Sequence, residues 1–261
     1  MGNESGAERS NAPAVTRSIA ILNLLAEARG AEIGLSELAR TLGIAKSSTS
    51  NLCVALEEGG LIQRGEQGYR LGRRTVELGG AYLASFDQVR EFYRVCSESA
   101  ELSGELVQIA MLDGTDVLYL ARHEGRAPLR LTAGIGDRFP ASLTAVGNAL
   151  LARLDDEEIR RRFADPATRP RVTEASVTSL DGLLEKVRAT RERGHSVDEG
   201  EMFPSVIGAA VVIPPRNIGD QPLALGVSMM LPVATEKHRT RVIAQLKTAA
   251  DALSNPLLVG A

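Results

Sequence analysis

A run of six polar residues, Lys46 to Asn51, brings an amine, four hydroxyls and a carboxamide together within two helical turns. A lysine can bind a DNA phosphate or guanine, a hydroxyl can donate or accept a hydrogen bond, and an asparagine can bind adenine through two hydrogen bonds. The alternative is a helix start that is merely solvated. From these side chains we expect DNA contacts at Lys46, Ser47, Ser48, Thr49 and Asn51.

The elements around this run follow the order of a winged helix-turn-helix. Apolar spacing predicts a helix that Thr16 caps and that ends near Arg29. A short helix follows Ser36 and stops at Gly43, and a second runs over about residues 45–58. A hairpin is predicted over residues 61–71. We expect the cations at the first helix and around the wing to bind the DNA backbone. They are Arg17, Arg64, Arg70, Arg73 and Arg74.

Beyond the wing, the pattern predicts a linker helix and then a mixed domain. Helical spacing continues from Arg73 to about Ser99, with an interruption at Gly79 and Gly80. Strands are predicted over residues 106–112, 117–121, 129–133, 206–213 and 223–229, and helices over 144–154, 155–163, 180–193 and 235–253. We therefore expect an α+β protein with a DNA-binding domain at 13–74, a linker helix at 75–92 and a second domain of mixed helices and strands at 93–257.

Composition excludes several classes of protein. The 261 residues are 44% hydrophobic and carry a net charge of -3, which fits a globular protein and excludes a uniformly basic nucleic-acid coat. Two cysteines without a CxxC pair give no support to a disulfide framework or a thiolate zinc site. Motifs of common hydrolases and the P-loop are absent. We expect a cytoplasmic protein without membrane span, cofactor or catalytic activity.

Two features of the second domain indicate a ligand site. Small residues around Thr144 predict a tight loop leading into a helix, whose first amides at Ala145 and Val146 could bind an anion such as a carboxylate. Close packing against a sheet is the alternative. Asp198 precedes an apolar strand, where its carboxylate could accept hydrogen bonds from a ligand or simply cap a turn.

Several segments together make the sequence resemble the isocitrate lyase regulator (IclR) family of bacterial transcription factors. They are LSELARTLGIAKSSTSNLCVALEEGGLIQR with YRLG, then LSGELVQIAMLDGTDVLYL, IGDRFPASLTAVGNALLA and GHSVDEGE, in the family's order. The resemblance covers residues 13–253 and implies a winged helix, a linker helix and a GAF-like effector domain, assembled as dimers or tetramers. It also implies DNA contacts at the positions of Arg17, Ser36, Lys46, Ser47 and Ser48.

The resemblance implies an effector pocket and also shows departures from the family. Members commonly carry an arginine where this chain has Asn51, so the operator should differ from the usual one. Gly208 and Gly226 replace a cysteine and a serine of the family pocket, from which we expect a roomier, more apolar site for an aromatic or branched ligand. The residues matching the pocket are Ala145, Val146, Asp198, Val206, Gly208, Ala210 and Ser228.

Together these observations predict a transcriptional regulator whose affinity for a palindromic, double-stranded operator is controlled by a small carboxylate or aromatic effector. The regulated genes are expected to form a neighbouring catabolic operon, because such regulators often act locally. The alternative is a small-molecule-binding enzyme or sensor whose winged helix docks a protein, and retention of a complex after nuclease treatment would distinguish it.

Overall fold

The computed structural model describes residues 11–125 and 133–254, and the chain divides into two compact units between Ser85 and Phe86. The first unit contains a bundle of helices followed by an antiparallel hairpin. Ile33 forms an isolated β-bridge to the hairpin, because its N–H and C=O exchange hydrogen bonds of 2.9 Å with Tyr69. Its elements are α1 (Pro13–Glu27), α2 (Leu35–Leu42), α3 (Lys46–Glu58), β1 (Ile62–Arg64), β2 (Tyr69–Leu71) and α4 (Arg74–Leu83).

The helix starts of the first unit differ from the predicted ones by a few residues. The helix α1 begins at Pro13, a residue that is favoured in the first turn because it needs no hydrogen-bond partner for nitrogen. The predicted cap Thr16 therefore lies inside the helix. The helix α2 begins at Leu35, so Ser36 lies in its first turn and does not precede it. Gly43, in the left-handed conformation with φ +66°, ends α2 and opens the turn into α3.

The structure divides the predicted linker helix into two. The helix α4 passes through both glycines without interruption, and α5 (Asp87–Glu98) begins after a break at residues 84–86. At the break, the Ser85 hydroxyl donates a hydrogen bond of 2.6 Å to the Tyr82 carbonyl oxygen, which competes with helix continuation. Phe86 adopts an extended conformation. The predicted interruption at Gly79 and Gly80 is therefore wrong.

The second unit is a six-stranded antiparallel sheet with helices on both faces. Its strand order is β5-β4-β3-β8-β7-β6. The helix α6 packs against β7, β8 and β3 on one face with α8 beside it, and α9 packs against β7 and β8. Its strands are β3 (Leu106–Asp113), β4 (Asp116–His123), β5 (Arg138–Pro140), β6 (Ser196–Glu199), β7 (Val206–Ile213) and β8 (Leu223–Met230), and its further helices are α6 (Ala145–Leu151), α7 (Asp156–Arg162), α8 (Leu180–Arg193) and α9 (Glu236–Ser254).

The α+β architecture predicted from the sequence is confirmed, with two short strands added. The strands β5 and β6 were not predicted, and Asp198, which precedes the apolar strand β7 as expected, itself lies within β6. The strand predicted over residues 129–133 falls almost wholly outside the described residues. None of the helices in the described parts of the chain is long and apolar enough to cross a membrane.

Candidate functional site

The exposed face of α3 carries most of the polar residues predicted to contact DNA. Lys46, Ser47, Ser48 and Asn51 are all exposed. The opposite face of the helix is buried in the core of the first unit through Cys53 and Leu56. Because residues three, four and seven apart share one face of a helix, the polar face is continuous over two turns. This arrangement presents hydroxyls and a carboxamide to an external partner.

Thr49 does not belong to this face, so its predicted DNA contact is wrong. Its side chain is 0% exposed. Its hydroxyl donates a hydrogen bond of 3.1 Å to the Ala45 carbonyl oxygen, one turn earlier in the chain. The sequence run contains six polar residues, but helix geometry turns the fourth of them inward, where the backbone satisfies its hydroxyl.

The other residues predicted to contact DNA lie on α1, on α2, on the hairpin and at the start of α4, where Arg73 and Arg74 are exposed and Arg74 pairs with Glu77. Ser36, Arg64 and Arg70 are exposed, and the Arg64 guanidinium lies 5.2 Å from the centre of the Tyr69 ring. That stacking restricts the side chain without neutralising its charge. Arg17 is half-buried, and its Nε atom has no hydrogen-bond partner among the described residues.

The tip of the wing is held by an acid that sequence patterns did not indicate. The backbone N–H of Gln67 donates a hydrogen bond of 2.7 Å to the Glu32 carboxylate. The same carboxylate lies so close to Gly65 that any Cβ there would collide with it. Glu66 is a second acid at the tip and is exposed. The cations of the wing therefore lie on its strands and not at its tip.

In the second unit, strand register aligns three of the predicted pocket residues. Gly208 of β7 pairs with Asp198 of β6 on one side and with Ser228 of β8 on the other. Directly paired residues point to the same face of a sheet, so the three positions form one row beneath α6. Ala145, Val146 and Val206 complete the lining, so the structure brings together six of the seven predicted residues.

Ala210 is the predicted residue that the cavity does not include. It lies in the next row of the sheet, opposite Ser196 and Gly226, and is fully buried in the core below α6. The Ser196 hydroxyl donates to the carbonyl oxygens of Ala145, at 2.6 Å, and of Ala210, at 3.2 Å. This row fixes α6 on the sheet, and of its three members Gly226 lines the cavity while Ser196 and Ala210 do not.

The expectation of a roomier pocket at the two glycines is wrong, because α6 occupies the space. A Cβ at Gly226 would lie 2.4 Å from Cγ1 of Val146, and a Cβ at Gly208 would lie 3.1 Å from Cβ of Ala145. The cavity has a free volume of about 30 Å³, which suffices for one or two water molecules. The missing side chains thus permit close packing of the helix.

Asp198 places a carboxyl group in the lining of this cavity. Burial raises the pKa of its carboxyl from the usual 3.8 to about 7, against the opposing effect of a hydrogen bond from the Glu201 N–H. The charge of Glu201 adds to the rise. Lys186 instead pairs with Glu201 at 2.6 Å, which leaves Asp198 without a cation of its own in the described structure. Near neutral pH the carboxyl is therefore partly protonated and can donate as well as accept.

Two polar cavity residues were missed by sequence reasoning. Gln108 of β3 is 4% exposed, and its Nε2 amide has no hydrogen-bond partner among the described residues. Tyr119 of β4 is buried, and burial together with the Asp198 charge raises the pKa of its hydroxyl, which stays neutral. The signal available in the sequence is that each is the one polar residue in a predicted strand, Gln108 in residues 106–112 and Tyr119 in residues 117–121.

An aromatic group borders the same cavity. The Tyr119 and Phe139 rings meet edge to face with centres 5.7 Å apart, and Phe139 meets Phe203 in the same way at 5.9 Å. Phe203 lines the cavity itself. The site therefore combines aromatic walls with a carboxyl, a hydroxyl and a carboxamide. In the described residues, no group of three or more His, Cys, Asp or Glu side chains could hold a metal ion.

Comparisons with known proteins match both units of the chain to known domains. The IclR helix-turn-helix domain matches residues 14–66, and the bacterial transcriptional regulator IclR C-terminal domain matches residues 80–255. The HTH-type transcriptional regulator XynR of Escherichia coli is 28% identical over 246 residues, which cover 93% of this chain and 96% of XynR.

Solved structures show the same fold. An IclR transcriptional regulator of Alicyclobacillus acidocaldarius superposes with a TM-score of 0.80 at 22% identity, covering 94% of this chain and 98% of that one. An IclR homologue of Microbacterium hydrocarbonoxydans, crystallised with 4-hydroxybenzoate, gives a TM-score of 0.78 at 24% identity, with coverages of 92% and 97%. Family domains spanning both units thus identify this chain as a member of the IclR family of bacterial transcriptional regulators.

Proposed function

We propose that this transcriptional regulator binds a palindromic operator through α3, and that a small molecule in the cavity beneath α6 changes its affinity for DNA. The observation that carries the proposal is the coexistence of an exposed hydroxyl and carboxamide face on one unit with a buried polar cavity in the other. DNA contacts are assigned to the half-buried Arg17 and to the exposed members of the predicted set, which are Ser36, Lys46, Ser47, Ser48, Asn51, Arg64 and Arg70.

The chemistry of the cavity favours a small aromatic carboxylate as effector. The partly protonated Asp198 carboxyl and the Gln108 amide can donate to a carboxylate, and the edge-to-face rings can flank an aromatic group. A relative of the same fold was crystallised with 4-hydroxybenzoate, which has this chemistry. Because the cavity is small without ligand, binding requires side chains around Phe203 to move.

The assembly follows from the symmetry of an operator. A dimer presents two copies of α3 to half-sites separated by about 34 Å or a multiple of it. We propose such a dimer, or a tetramer built from two of them, acting in the cytoplasm on a neighbouring catabolic operon. Ligand binding then changes DNA affinity by altering the separation of the two α3 helices through the segment formed by α4 and α5.

Replacing Asn51 by alanine should relax the preference of the protein at one base position of its operator. The carboxamide can bind adenine with two hydrogen bonds, and its loss is expected to reduce discrimination there by about 1 to 3 kcal/mol. Binding isotherms on duplexes with each base at each position measure this. Asn23→Ala, at an exposed asparagine on α1, is the matched control. Equal losses on every sequence would contradict a base contact.

Ligand and DNA binding should be reciprocally coupled. If a ligand weakens DNA binding by a given factor, DNA must weaken binding of that ligand by the same factor. Titration of the full-length protein with 4-hydroxybenzoate, benzoate and glyoxylate, with and without operator, measures both quantities. We expect the aromatic acids to bind more tightly than glyoxylate. An effector that saturates the protein without changing DNA affinity or promoter output would disprove the coupling.

A further inference from the structure

The exposed face of α3 continues one turn beyond Asn51, to an apolar side chain. Val54 is 47% exposed, and it lies seven residues after Ser47 and three after Asn51. On a helix these spacings put the three side chains on the same face. The core-facing side of α3 carries Cys53 and Leu56 instead. Val54 therefore lies on the same exposed face of α3 as Ser47 and Asn51.

Core packing does not account for a valine at this position. The core of the first unit contains Cys53 and Leu56 as buried members and Leu52 as a partly buried neighbour, but not Val54. A β-branched residue is also a poorer helix former than alanine or leucine. Neither burial nor helix propensity thus favours valine at this position.

The major groove of DNA contains one apolar group that such a side chain can contact, the thymine methyl group. In the major groove, base edges present hydrogen-bond donors and acceptors, and thymine adds its C5-methyl group. Three residues of helix advance about 4.5 Å, which is roughly one base-pair step. A valine that follows an adenine-reading asparagine by this distance faces the neighbouring base pair.

We propose that Val54 contacts the C5-methyl group of a thymine next to the adenine bound by Asn51, so that α3 selects two adjacent A·T pairs. This inference rests on the proposed insertion of α3 into the major groove. It adds a base contact that does not use hydrogen bonds, and it therefore predicts discrimination between two bases with identical hydrogen-bonding edges, thymine and uracil.

The test uses the full-length protein and duplexes selected by it from a random-sequence pool. In each selected duplex, thymines are replaced one at a time by deoxyuridine, which lacks only the methyl group. For the wild type, one replacement per half-site should weaken binding about fourfold, as expected for one buried methyl-sized group. Val54→Ser should bind the thymine and deoxyuridine duplexes equally well. Val172→Ser, at a valine of 46% exposure in the second unit, should keep the wild-type discrimination.

The outcomes separate this inference from the proposed function. Selection of a specific duplex with equal affinity for thymine and deoxyuridine at every position would overturn the Val54 contact and leave operator binding intact. Retention of the discrimination by Val54→Ser would overturn it too. Failure to select any duplex would overturn the proposed function, and the Val54 contact with it.

Discussion

Asp198→Asn is expected to stabilise the protein at pH 8 by about 4 kcal/mol. The folded-state pKa of this carboxyl lies near 7 and its usual value is 3.8, a difference of about three units worth about 1.4 kcal/mol each. Since the folded pKa is raised, the protonated form contributes stability below pH 3.8, and this contribution is lost as the pH rises through 7. Asparagine remains neutral and avoids the loss.

Urea unfolding followed by circular dichroism from pH 4 to pH 8 measures the effect. The variant and the wild type should have nearly the same free energy of unfolding at pH 4. The difference between their free energies of unfolding should grow between pH 4 and 7 and level off above pH 7. Glu174→Gln is the control, because this acid is exposed and is not among the groups that shift the pKa of Asp198. A difference between Asp198→Asn and the wild type that stays constant over this range would show that Asp198 titrates normally in the folded protein.

Gly147→Ala is expected to destabilise the second unit by about 3 kcal/mol. A Cβ at this position would lie 2.1 Å from the carbonyl oxygen of Ala141 and 2.5 Å from its Cα. Both are backbone atoms, so no side-chain rotation can relieve the collision, and α6 and the segment at Ala141 must move apart. The same displacement would disturb the cavity that Ala145 and Val146 line.

The matched control is a second glycine-to-alanine substitution within a helix. Gly79 lies inside α4 with no atom near the position of an added Cβ, and alanine there should stabilise the helix by about 1 kcal/mol. Thermal unfolding of both variants measures the contrast. If Gly147→Ala were as stable as the wild type, the close approach of α6 to Ala141 would be disproved.

The helices and long strands were predictable because their apolar spacing is regular over eight or more residues. The helix α3 and the strands β7 and β8 lie within a residue of their predicted ends. The three-residue strand β5 and the four-residue strand β6 were missed because segments so short do not establish a period. The break at residues 84–86 depends on a serine hydroxyl that competes for a backbone carbonyl, which composition does not reveal.

The cavity was predicted less completely than the face of α3. The exposed residues of a single helix can be predicted from their spacing, and for α3 that prediction was wrong only at Thr49, which is buried. The residues that line a cavity depend on which strands are neighbours in the sheet. The sequences of β3 and β8 do not indicate that these two strands pair. Gln108 reaches the site through that pairing, and Tyr119 reaches it through the pairing of β4 with β3. The close fit of Val146 to Gly226 depends on how α6 packs on β8.

The row formed by Asp198, Gly208 and Ser228 has a consequence for how regulators of this kind diversify. Each position belongs to a different strand, and the backbone ladder that joins them is independent of side-chain identity. If this cavity holds the effector, as we propose, single substitutions at Asp198 or Ser228 after gene duplication would alter ligand preference and leave the backbone pairing unchanged. A bacterium would thus acquire a sensor for a new ligand without evolving a new fold.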